Sequence, residues 1–190
     1  MRRTSSGVSK GGELAGWSSA SVSTTMSGTI DVAVIGVGLV GSAVLKQLAT
    51  VPSLSALKVV ALQNSRKTLL AAPGQHLALD HWQAQLESGS SPALSLEQLV
   101  SELHTIQAKN CRHIAVVDNT SNDSVAGFYP SFLRAGFSVV TPNKKAFSGS
   151  VDLFSAMEEA KESNTRPLVY QESTVGAGLP VISTLKDLVA

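Results

Sequence analysis

One glycine turn constrains this chain more than any other feature. Gly36-Val37-Gly38-Leu39-Val40-Gly41 has the form G-x-G-x-x-G. It directly follows residues 30–35, a short β-branched run that reads as a strand. It opens residues 40–50, where Val40, Val44, Leu45 and Leu48 recur at helical spacing. Each glycine meets a separate steric demand. Gly36 permits the tight turn, Gly38 leaves the backbone open to a pyrophosphate, and Gly41 lets the helix lie close to the strand. The helix N-terminus then offers unpaired N–H groups and a positive dipole end to the phosphates. The turn therefore reads as a dinucleotide site, the alternative being a tight turn with no ligand.

The rest of the chain fits that setting. Strands are expected at residues 58–62, 113–117, 137–140 and 167–170, and helices at 123–135, 151–161 and 179–189. Ser95 opens another helix: S-L-E-Q forms a capping box, and Leu96, Leu99, Val100 and Leu103 form its stripe. Residues 66–93 predict a short helix around Trp82 and Leu86 between two loops. Near-continuous apolar strands alternating with helices predict the α/β class, with a doubly wound, Rossmann-type parallel sheet covered on both faces.

Composition removes several function classes. A formal net charge of +1 gives no general pull toward nucleic acid or an anionic membrane. No apolar run approaches the roughly 18 residues of a membrane span. A single cysteine, Cys111, excludes an internal disulfide framework and a cysteine-cluster metal site. A reducing, cytoplasmic location fits. Residues 1–28 are Ser-rich, with Glu13 as their one acid. They read as a disordered tail, with Met26 as an alternative start, or as a weak targeting segment. A dinucleotide domain is expected over 29–172.

Polar groups gather where strands end. The second strand runs into Gln63-Asn64-Ser65-Arg66-Lys67, where a cofactor without a 2′-phosphate ordinarily meets an acid. A carboxylate there would repel a phosphate, whereas Arg66 can grip one. NADP is therefore preferred over NAD, the alternative being solvated charges at a helix start. Three later strands end in Asp118-Asn119-Thr120-Ser121, in Thr141-Pro142-Asn143-Lys144-Lys145, and in Gln171-Glu172-Ser173-Thr174 followed by Val175-Gly176-Ala177-Gly178-Leu179-Pro180. Each could be a cap or a turn by itself. All three fall on the edge that carries the glycine turn, where ligands of open α/β sheets bind.

V-I-G-V-G-L-V-G, D-N-T-S, G-F-Y-P-S-F-L-R-A-G, T-P-N-K-K-A-F-S and Y-Q-E-S-T-V-G-A-G-L-P together resemble homoserine dehydrogenase of the fungal type, over residues 30–189. The resemblance implies reversible, NAD(P)-dependent interconversion of homoserine and aspartate 4-semialdehyde, a step toward threonine and methionine. It implies that Val37, Leu39, Val40 and the glycines Gly36, Gly38 and Gly41 line the pyrophosphate. It puts Asn64, Ser65 and Arg66 near the adenosine ribose, and Asn119, Thr120 and Ser121 beside the nicotinamide. Lys144 would reach the cofactor and the reacting centre. A sodium ion would be held by Glu172 and the carbonyls of Val175, Ala177 and Leu179. Residues 173–190 would begin a catalytic and dimerisation domain, which makes the complete enzyme a homodimer. The resemblance places the proton-transferring lysine and the acids that bind the substrate amine in that domain. This chain is therefore expected to be an incomplete form, inactive alone; the alternative is an inert NADP-binding fragment or pseudo-enzyme.

Two further readings compete. An aldehyde-phosphorylating relative, such as aspartate semialdehyde dehydrogenase, needs a nucleophilic cysteine at the nicotinamide. Cys111 precedes its strand, at the opposite edge, and reads as an inert small apolar residue. A nucleotide-dependent regulator working through protein contacts would use the last helix, where Leu179, Ile182, Leu185 and Val189 are spaced to expose an apolar face.

Overall fold

Strand β1, Ile30–Ile35, lies between two parallel neighbours, β2 (Leu57–Gln63) and β5 (His113–Asp118). A central strand must bury both faces, which is why Val32, Ala33, Val34 and Ile35 are all apolar and buried. The computed structural model describes residues 28–162, 167–177 and 179–189. The expected tail lies outside the described residues, except for Gly28.

Helix α1, Leu39–Thr50, returns the chain from β1 to β2 and ends ahead of Pro52. Beyond β2 the chain departs from an all-parallel sheet. Asn64 Oδ1 accepts from the backbone N–H groups of Arg66 and Lys67, each at 2.8 Å. That side chain closes a tight turn, so β3 (Lys67–Leu70) runs back antiparallel to β2. Arg66 and Lys67 thus sit in a hairpin rather than at a helix start. Helix α2 (Trp82–Ser88) buries Trp82 and Leu86 as expected, and β4 (Ser91–Pro92) pairs antiparallel with β3.

Helix α3, Leu96–Asn110, forms the crossover to β5. Its capping box is complete: Ser95 Oγ accepts from Gln98 N, and Gln98 Oε1 accepts from Ser95 N. Leu99, Leu103 and Ile106 are its buried face. Cys111 closes the helix in a left-handed conformation, φ 51°. It is exposed, so it is not the packed apolar residue the sequence suggested.

The helix expected over 123–135 is two helices, α4 (Asp123–Gly127) and α5 (Tyr129–Arg134). Pro130 has no N–H to give to Ala126, so the ladder breaks at Phe128. Next come β6 (Ser138–Val140), α6 (Lys145–Ser148), α7 (Val151–Glu162), β7 (Val169–Tyr170) and α8 (Val181–Val189). The sheet order is β4-β3-β2-β1-β5-β6-β7, and β2, β1, β5, β6 and β7 are parallel.

The two faces differ. Ile114, Val116 and Val139 are buried, together with Phe132, Phe137 and Met157. Ala115, Val117 and Val140 are half-buried and line an apolar groove of about 840 Å3 that α1 borders on one side. Coverage of both faces is therefore incomplete over β5 to β7 among the described residues. Among those residues no helix is long and apolar enough to cross a membrane.

Candidate functional site

The chain builds β2, β3 and β4 to one side of β1 and β5, β6 and β7 to the other. Where the order reverses, the loops leaving neighbouring strands diverge and open a crevice at their carboxyl ends. A cleft of about 1040 Å3 lies there, with Gly36, Gly38, Asn64, Ser65, Thr120 and Ser121 in its walls. Ser95 and Leu96, at the start of α3, line it as well.

The glycine turn is built as its sequence demands. Gly36 has φ 88°, and a Cβ on it would fall 2.7 Å from Thr120 Cγ2 and 3.1 Å from the Asn119 carbonyl carbon. The turn is therefore pressed against the loop that follows β5. A Cβ on Gly38 would meet nothing within 4 Å, so it would project into open space. Gly38 is the N-cap of α1, no side chain caps that end, and its first turn holds no acid. The N–H groups of the first turn are left for a ligand. Val37 is half-buried and lines the cleft. Leu39 is 94% exposed, and Val40 lines the apolar groove instead of the cleft. Among the positions expected at the pyrophosphate, these two are not among the cleft walls.

The end of β2 forms the next wall. Gln63 is buried; its Nε2 donates to the Leu94 carbonyl and its Oε1 accepts from Thr68 Oγ1. Thr68 Oγ1 in turn accepts from Leu94 N. This fixes residues 94–96 over the cleft, a role no sequence pattern announced. Asn64 spends its Oδ1 on the hairpin turn, which leaves Ser65 and Arg66 exposed at the tip. Lys67 instead gives its Nζ to the Glu87 carbonyl.

The loops after β5 and β6 are joined through one carboxylate. Asp118, fully buried, accepts at Oδ1 from Thr120 N (2.8 Å). Its Oδ2 accepts from the Tyr129 hydroxyl (2.6 Å) and from Asn143 Nδ2 (3.1 Å). Thr141 Oγ1 lies 2.9 Å from the Tyr129 hydroxyl, donates to the Asp118 carbonyl and accepts from Asn143 N. Burial, reinforced by the neighbouring Asp118 charge and the bond to it, pushes the Tyr129 hydroxyl well above the ordinary tyrosine range. Asn119 lines both the cleft and the groove. Lys144 follows Asn143, is exposed, and stands outside the cleft walls at the N-cap of α6. Asp118, Tyr129, Thr141 and Asn143 were not singled out by sequence. Asp118, Thr141 and Asn143 lie inside the strand-end motifs, but only the fold shows that they meet.

The third strand end lies apart. Glu172 and Thr174 belong to a single 3-10 turn, and Gly176 and Ala177 bend the chain with φ 71° and φ 55°. Glu172 accepts from the N–H groups of Ile182 and Ser183, so it caps α8. Leu179 O accepts from Val181 N.

Comparison with known proteins agrees with this geometry. Residues 36–171 match the family model described as "Homoserine dehydrogenase, NAD binding domain". A homoserine dehydrogenase of Emericella nidulans is 44% identical over 170 residues, covering 86% of this chain and 44% of that protein. One from Saccharomyces cerevisiae is 38% identical, covering 84% of this chain and 43% of that protein. A Candida auris protein of unknown function has a TM-score of 0.75 at 39% identity, over 85% of this chain and 43% of that one. A hyperthermophilic archaeal homoserine dehydrogenase mutant in complex with NADPH shares the fold, with a TM-score of 0.63 at 24% identity. The chain spans less than half the length of the relatives it matches. A glycine turn at the switch point, a polar cleft beside it and a family match across both place this chain in the homoserine dehydrogenase family, as its NAD-binding domain.

Proposed function

We propose that the cleft binds NADPH, and that the chain is the cofactor-binding part of an enzyme interconverting homoserine and aspartate 4-semialdehyde. The observation that carries this is Gly38: an uncapped helix start with open space where a side chain would stand. When bound, NADPH supplies a hydride. The chain's own residues do the binding and the orienting. The free amides at the start of α1 take the pyrophosphate. Ser65 and Arg66 at the hairpin tip take the 2′-phosphate, in a segment, residues 63–67, that holds no acid. Asn119, Thr120 and Ser121 border the nicotinamide. Lys144 stands at the substrate side, on the loop tied to theirs by Asp118.

The reading extends to four further points. Glu172, with the carbonyls of Val175, Ala177 and Leu179, makes an all-oxygen donor set suited to a hard cation such as sodium. A carboxylate has about four lone-pair sites, so capping α8 does not exhaust Glu172. The boundary between the cofactor domain, 29–172, and a catalytic and dimerisation domain falls at this turn. The apolar stripe of α8, with Leu185, Leu188 and Val189 exposed, is the start of a homodimer contact. The enzyme works in the cytoplasm.

Fluorescence titration of the purified chain with NADPH and NADH tests the binding. Saturation by NADPH at lower concentration than by NADH is expected, and no saturation by either removes the reading. A spectrophotometric assay with NADP and homoserine tests completeness. Turnover is expected to be absent; ordinary dehydrogenase rates of about 1–1000 per second would show that this chain suffices.

A further inference from the structure

We propose that Asp118, Tyr129 and Asn143 are positioning residues: they hold the nicotinamide-side loop and the Lys144 loop at a fixed spacing. The proposal rests on the NADPH reading above.

A buried carboxylate must be satisfied, and any nearby donors would serve stability equally. Here the donors come from two segments of the site and from the helix behind them. Thr120 N belongs to the loop after β5, Asn143 Nδ2 to the loop after β6, and the Tyr129 hydroxyl to α5. The Asp118 carboxylate thus acts as a common anchor for both loops, beside the Thr141 Oγ1 bond to its own carbonyl. Asn143 extends the tie. Its Nδ2 also donates to the Asn122 carbonyl, and its Oδ1 accepts from Lys145 N on the far side of Lys144.

The same bonds decide which lysine of the pair is available. Lys145 Nζ sits 3.2 Å from Asp123 Oδ1, across to the first turn of α4. Lys145 therefore makes a second, outer tie between the two loops, while Lys144 has no ion pair among the described residues. Thr120 and Asn122 are set in turn: Asn122 N donates to Thr120 Oγ1, and Asn122 Oδ1 caps α4 through Ser124 N. On the Thr120 side, Thr120 N is held by Asp118 Oδ1, while Asn119 N donates to the Ile35 carbonyl at the end of β1. Neither Tyr129 nor Asn143 hydrogen-bonds the glycine turn or the hairpin tip, so loosening them reaches those parts only indirectly, through the packing of Thr120 on Gly36.

This separation supplies the test. Tyr129→Phe keeps the ring and removes the hydroxyl, and Asn143→Ala is the second variant should the first not fold. Both are made in the full chain, with melting curves as the check of folding. NADPH and 2′,5′-ADP, which lacks the nicotinamide half, are titrated against wild type and variants. Loss of a hydrogen bond of ordinary strength corresponds to about a fivefold change in affinity. NADPH binding is expected to weaken about fivefold in each variant, with 2′,5′-ADP binding changed by less than about twofold. Equal losses for both ligands, or no loss for NADPH, overturn the positioning role while leaving NADPH binding intact. Failure of the wild type to bind NADPH overturns both readings together.

Discussion

A Cβ built on Gly41 falls 2.1 Å from the carbonyl oxygen of Gly36, a distance that no relaxation of a side chain can relieve. The first turn of α1 and the end of β1 are in contact backbone to backbone at this point. Gly38, two residues into the turn, has no such neighbour and an ordinary backbone conformation, φ −75°. The two glycines therefore separate stability from binding. Gly41→Ala is expected to cost about 1–3 kcal/mol, as overpacking of a fixed contact does. Gly38→Ala is expected to cost about 0.5 kcal/mol, the difference between Gly and Ala at an N-cap, yet to weaken NADPH binding because its methyl enters the cleft. Urea melts and NADPH titrations of the pair check this. A Gly38→Ala chain that binds NADPH like wild type would remove the pyrophosphate from this turn.

Arg66 and Asn64 do different things at the hairpin tip. Arg66 is exposed and unpaired by acids among the described residues, whereas Asn64 holds the turn with its Oδ1. Arg66→Gln is expected to weaken NADPH by about tenfold, the worth of a charge-assisted contact, and to leave NADH unchanged. Asn64→Ala is expected to destabilise the chain by about 1 kcal/mol and to weaken both nucleotides by distorting the tip. Parallel NADPH and NADH titrations separate the two. An equal effect of Arg66→Gln on both nucleotides would mean that the 2′-phosphate lies elsewhere.

Much of this fold is written in local pattern. The β1 run, the Ser95 capping box and the α3 stripe are decided by neighbours a few residues away, and they stand as expected. The antiparallel edge was not legible. Lys67-Thr68-Leu69-Leu70 has no alternation, and its direction is set by the Asn64 side chain. The break between α4 and α5 was present in the sequence as Pro130, at a place where the apolar pattern runs on through it. At the site, the glycine turn and the ends of β2 and β5 line one cleft. Their pattern does not separate Val37, which lines the cleft, from Leu39 and Val40, which are not among its walls. The Asp118 network joins residues 11 and 25 positions apart. No periodicity carries such pairings; they exist only once β5 and β6 lie side by side.

Tyr129 makes stability depend on alkaline pH. Its hydroxyl is raised far above the ordinary value of about 10 that it recovers in the unfolded chain. Above that pH the unfolded chain releases the proton and the folded chain keeps it. The unfolded state then binds fewer protons, so stability is full below about pH 10 and falls as pH rises beyond it. One such group contributes a slope of about 1.4 kcal/mol per pH unit. Tyr129→Phe is expected to lose this part of the alkaline limb while remaining less stable at neutral pH. Denaturant melts between pH 8 and about 11 make the comparison, and parallel limbs in the two proteins would sink the assignment.

Glu172 closes the strand-end series with one duty the structure shows, capping α8, and one that is proposed, and one variant set can separate them. Its carboxylate accepts from Ile182 N at 3.0 Å and from Ser183 N at 3.2 Å, so it stabilises the start of α8 with or without an ion. Glu172→Ala is expected to cost about 1 kcal/mol through the lost cap, and Glu172→Gln less, because one acceptor oxygen remains. The proposed sodium adds a term that capping does not have. Wild type should melt at a higher temperature in sodium chloride than in choline chloride of equal ionic strength, since an ion bound only by the folded chain stabilises it by mass action. Both variants should melt alike in the two salts, because neither offers the ion a carboxylate. A wild-type melting temperature indifferent to sodium, with the Glu172→Ala loss still present, would leave capping as the whole of the Glu172 role.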